Sequence, residues 1–142
     1  MIGQKAVNAV IDLIKQILFH TPKEELDKQE RKQISENGLV HFCNSGNVES
    51  ILTNGVKPNR EKTMKRCERE YTWFYIFDKN TIDEKMQIIH RKGKRKSYDA
   101  YVRVKGLTEQ QMEKLRISRR NHGAVIYPGT LKTNDMSAKS IE

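Results

Sequence analysis

The side chains best suited to chemistry fall between residues 39 and 77. His41 sits in the apolar run Leu39-Val40-His41-Phe42-Cys43. In an extended chain His41 and Cys43 share a face. With no acid to orient the imidazole, that pair is not a catalytic dyad. A strand histidine can be satisfied within the core or can face a ligand. His20, His90 and His122 lack metal-site spacing. Tyr71-Thr72-Trp73-Phe74-Tyr75-Ile76-Phe77 offers aromatic rings, either for stacking on a planar ligand or for packing across strands.

Cations gather in three places. Residues 57–70 hold six basic and three acidic side chains around Pro58 and Asn59. Arg91, Lys92, Lys94, Arg95 and Lys96 form a second run, and Arg116, Arg119 and Arg120 a third. Spread apart, they make a solvated surface. Brought to one face, they hold phosphates of a nucleotide or of DNA or RNA. Arg60, Arg66, Arg91, Lys94, Arg95, Arg119 and Arg120 are the candidates for that role. Tyr98 and Tyr101 flank the second run, as a single-strand binder requires. Helix-turn-helix, ribonucleoprotein, KH and zinc-finger spacings are absent, as are Gly-x-Gly-x-x-Gly and Walker A loops.

Residues 39–56, LVHFCNSGNVESILTNGV, join a strand histidine to a helix reading Ser50-Ile51-Leu52-x-x-Gly55-Val56. This stretch resembles the opening motif of ADP-ribosyltransferase-fold domains, in the histidine-bearing branch with PARP-like and small bacterial toxin-type members. The resemblance implies NAD as substrate, with His41 hydrogen-bonded to the nicotinamide ribose. There a histidine would donate to a ribose hydroxyl without ionising. It also implies an aromatic residue stacked on nicotinamide, which Tyr75 or Tyr71 would supply. His41 and Tyr75 are then the catalytic candidates, and His41, Phe42, Asn44, Tyr71 and Tyr75 the NAD-binding ones. The family also places a glutamate near the last strands, and here the chain departs from it. No acidic residue lies between Glu113 and Asp135, and the only later glutamate is Glu142.

Elements must position these groups. Apolar residues at helical spacing predict a first helix over 3–19. Thr21-Pro22-x-Glu24 reads as the capping box of a second helix over 22–36, ended by Asn37-Gly38. Strands are expected over 39–43, 71–77, 98–104 and 124–127, the third by strict alternation. Helices are expected over 45–54, ending in a Schellman contact through Val56, over 81–90, and over 108–117 from the Thr108–Gln111 box. The tail either frays or adds an edge strand through Leu131. The expected fold is α+β: one domain with N-terminal helices and a small split, mostly antiparallel sheet of ADP-ribosyltransferase type. Residues 1–36 form a helical segment packed on or docking the core, and 37–142 the nucleotide-binding core.

The chain has 142 residues and a net charge of +9, enough for one core and biased toward a polyanionic partner. Two cysteines exclude a disulfide scaffold and a four-thiolate zinc site, so Cys43 and Cys67 are expected as free thiols. No apolar run reaches 18 residues, and no export signal is legible, so the cytoplasm is expected and a membrane partner is not. Two functions remain: an ADP-ribosyltransferase-like enzyme acting on a protein or nucleic acid, or a non-catalytic nucleotide or nucleic-acid binder. Either suits a toxin, a phage factor, or an inhibitor or sequestering factor in phage–host conflict. A third reading is self-association through residues 5–19.

Overall fold

Short runs of β-branched and aromatic residues pair into a sheet, and capped polar stretches between them become helices. The computed structural model describes residues 3, 4, 6, 7, 10, 23–58, 71–78, 82, 98–119 and 123–140. In chain order these give α1 (Lys28–Asn37), β1 (Leu39–Cys43), a 3-10 turn (Ser45–Asn47) leading into α2 (Val48–Asn54), and β2 (Tyr71–Ile76). They continue with β3 (Ala100–Lys105), α3 (Glu109–Lys114), β4 (Arg116–Ser118), β5 (Ala124–Pro128) and β6 (Asp135–Ser140). The strands form one open antiparallel sheet in the order β4-β5-β2-β1-β3-β6. The chain is therefore α+β. Gln4, Ala6, Val7 and Val10 are helical, as is Ile82. The rest of the expected helices over 3–19 and 81–90, Thr21 and Pro22, residues 59–70 with Cys67, and the run 91–96 lie outside the described residues.

Several expectations are corrected. The helix before β1 starts at Lys28 rather than residue 22. Asp27 caps it, accepting from the Glu30 N–H at 2.8 Å, while Glu30 accepts from the Asp27 N–H at 2.8 Å. Upstream, Glu24 is held in a bridge to Ile117 and Leu26 is buried, so that backbone is committed elsewhere. The helix after Thr108 stops at Lys114 rather than 117. Its capping box forms as expected. Arg116–Ser118 instead make β4, because Ile117 finds backbone partners on two sides, Val125 of β5 and Glu24. Gly55 has φ +90° and ψ 173°, so no left-handed Schellman turn forms, and Val56 pairs with Leu131. The edge strand is Asp135–Ser140, whereas Leu131 is buried in the core.

Both faces of the sheet are apolar in its centre. One face carries the main core: Leu39 and Cys43 of β1, Phe74 of β2, Ala100, Val102 and Val104 of β3, and Val125 and Tyr127 of β5. Ile34 of α1, Leu115, and Val48, Ile51 and Leu52 of the α2 segment close over it. The opposite face groups Val40 and Phe42 with Tyr75, Phe77, Ile82, Tyr98 and Tyr101. The alternation expected of β3 is observed from Ala100 to Lys105. Tyr98 lies before the strand and joins the second face, not that of Val102. Cys43 is a free, buried thiol. Burial, with a smaller effect from the Asp99 charge, pushes it up to about 11, so it remains protonated at neutral pH.

Candidate functional site

β1 and β2 part company after two residue pairs, Leu39↔Ile76 and Val40↔Tyr75. Each strand has a longer pairing on its other side. β1 pairs with β3 from Leu39 to Cys43, and β2 with β5 from Tyr71 to Phe74. The Thr72 hydroxyl lies 3.1 Å from the Tyr127 carbonyl and 2.7 Å from that of Gly129, which ties β2 further to β5. The second half of β1 and the first half of β2 therefore splay apart, and His41 is the first residue of β1 beyond the joint.

His41 Nδ1 lies 2.8 Å from the backbone carbonyl of Trp73, across the opening. A carbonyl only accepts, so Nδ1 carries the proton. Desolvation lowers the imidazole pKa from 6.5, and the Trp73 hydrogen bond opposes that in part, so the ring is neutral at pH 7. In this tautomer Nε2 is an acceptor. With Nδ1–H committed to Trp73, the ring nitrogen left over is an acceptor, whereas the resemblance implies a donor. The Phe74 ring steadies the imidazole, with centroids 5.7 Å apart.

Linkage sets the sign of the pH effect. The folded pKa of His41 lies below 6.5. Between the two values the unfolded chain holds the extra proton. The stabilisation is whole above 6.5 and is lost as pH falls from there toward the folded value. Urea midpoints followed from about pH 8 to about pH 5 are expected to drop more for the wild type than for His41→Gln. Parallel curves would contradict this assignment.

The other expected site residues are distributed unevenly. Phe42 is buried on the second face, its ring 6.1 Å from that of Tyr75. Tyr75 and Tyr71 alternate with Phe74 along β2 and so lie on the face away from His41. Burial raises the Tyr75 pKa. Tyr71 stands at the splayed end of β2, with Lys23 Nζ 4.0 Å from its ring centroid. The Asn44 side chain caps the 3-10 turn, accepting from the Gly46 N–H at 2.7 Å. Arg119 is drawn to the N-terminal segment, 3.1 Å from Glu24 and 2.5 Å from Glu30. Arg60, Arg66, Arg91, Lys94, Arg95 and Arg120 lie outside the described residues.

No match to known proteins is found. No protein-family model, curated protein or solved structure matches the chain. The geometry adds residues that no local pattern marks. Trp73 contributes its carbonyl, Phe74 its ring and Lys23 its charge, all through long-range placement. Asp99 accepts from the Ser45 N–H at 2.7 Å and from its hydroxyl at 2.9 Å, which holds the start of the 3-10 turn beyond β1. The Ser45 backbone N–H, and then its hydroxyl, lower the Asp99 pKa. Among the described residues no carboxylate bonds or ion-pairs with His41.

Proposed function

We propose that this chain is an ADP-ribosyltransferase-like protein that holds NAD in the opening between β1 and β2. One observation carries the reading. A neutral histidine stands at the joint with Nδ1–H committed to Trp73, which leaves Nε2 to accept from a ribose hydroxyl. The parting of an antiparallel sheet beside His41 also supports the split-sheet type that the resemblance implies.

In the transfer reaction the bond between ribose C1′ and the nicotinamide nitrogen breaks. Its electron pair leaves with nicotinamide, and an oxocarbenium-like ribose takes an acceptor nucleophile from a protein or nucleic acid, whose proton passes to water. His41 orients the ribose by hydrogen bonding and needs no proton exchange. A second reading, binding without transfer, is favoured by the lack of any acidic residue between Glu113 and Asp135.

NAD is expected to raise the unfolding midpoint of the wild type. His41→Ala removes one hydrogen bond and should weaken binding by about 1–3 kcal/mol, roughly fivefold to 150-fold. Release of nicotinamide with labelled ADP-ribose on an acceptor supports the enzyme. A His41-dependent thermal shift without release supports the binder. No shift, or an equal shift in His41→Ala, overturns both.

A further inference from the structure

The two edges of the sheet are finished differently. Beside β4, Glu24 and Ile117 each donate a backbone N–H to the other's carbonyl, both at 2.8 Å. At the other edge β6 pairs with β3 along its whole length, from Lys105↔Asp135 to Ala100↔Ser140. Among the described residues nothing pairs with its outer side. Every β6 side chain except Met136 is exposed. Such an edge presents a row of backbone donors and acceptors that can take a further strand.

We infer that β6 pairs antiparallel with β6 of a second copy of this chain, across a two-fold axis at Ser137. Joining one edge to itself this way puts the axis perpendicular to the sheet and through a residue, and residues that face each other then share a face. With Ser137 on the axis, Asp135 faces Lys139 of the second copy, and Lys139 faces its Asp135. Met136 and Ala138 face each other in the same way. The charged pairs lie on one face. The apolar pairs extend the other, where Met136 packs on the main core. Moving the axis to Ala138 sets Lys139 against serine, and moving it to Lys139 sets ammonium against ammonium. A lysine on an edge ordinarily discourages pairing. Here an aspartate stands at the symmetric position, and opposite charges directly across a ladder stabilise it. Lys105, across from Asp135 on β3, shares that face and places Asp135 between two cations.

Sedimentation velocity over a concentration series is expected to show the wild type reaching twice the monomer mass. Asp135→Lys and Lys139→Asp, both at exposed positions, should each sediment as monomers, because each sets like charges face to face. Their equimolar mixture should dimerise again, since two lysines of one variant meet two aspartates of the other. A wild type that stays monomeric, variants that both stay dimeric, or a mixture that does not associate each overturns the pairing. Association through residues 5–19 gives the second of these results.

Discussion

Gly38→Ala is expected to cost the fold about 3–5 kcal/mol, among the largest effects of a single methyl group. Gly38 joins α1 to β1 with φ +83°, a region that side chains rarely adopt. A Cβ there would lie 2.4 Å from the Val104 carbonyl oxygen and 3.1 Å from its carbon. Both are backbone atoms of β3, so no rotamer change relieves the overlap. The position is also anchored on its other side. Phe77 donates its N–H to the Gly38 carbonyl at 3.0 Å, and Arg103 Nε donates to the Asn37 carbonyl at 2.8 Å. A domain of this size has roughly 5–15 kcal/mol in total. Urea unfolding should show a much lower midpoint with an unchanged slope. A midpoint equal to wild type would contradict the close approach.

Phe74→Ala is expected to cost a similar amount, about 3–5 kcal/mol. Phe74 is 1 % exposed and lies in the main core with Leu39, Val102 and Val125. Its backbone is held in the ladder opposite Val125, so the strand cannot shift to fill the cavity that the lost ring leaves. Phe74→Leu should lose roughly half as much, since most of the apolar volume remains. The same truncation removes the ring beside His41. Urea midpoints of the two variants test this ordering, and an alanine variant as stable as the leucine variant would count against it.

Much of the sheet was readable along the chain. β1, β2, β3 and β5 announce themselves through β-branched, aromatic or alternating residues, and α3 through its Thr108–Gln111 box. Where the fold departs from the local pattern, the causes are physical. Asp27-x-x-Glu30 is as good a capping box as Thr21-x-x-Glu24, and only the Glu24–Ile117 bridge decides between them. Arg116-Ile117-Ser118 carries no strand pattern of its own, and pairing on both sides of Ile117 makes it β4. β6 is polar and becomes a strand because β3 offers it six partners. The site follows the same rule. His41 was visible as an odd residue in an apolar run. Its tautomer depends on Trp73, thirty-two residues away, and so on the register of two strands.

The joint between β1 and β2 has a mechanical consequence. The trio β4-β5-β2 and the trio β1-β3-β6 are each laced along most of their length, yet the ladder between them has two pairs, Leu39↔Ile76 and Val40↔Tyr75. Compliance therefore concentrates along one line. Spreading the two halves along it would break no other ladder, but it would stretch the His41–Trp73 hydrogen bond and the core that both halves share. The closed end of that line is the Gly38 corner, where the carbonyl of Gly38 takes the N–H of Phe77.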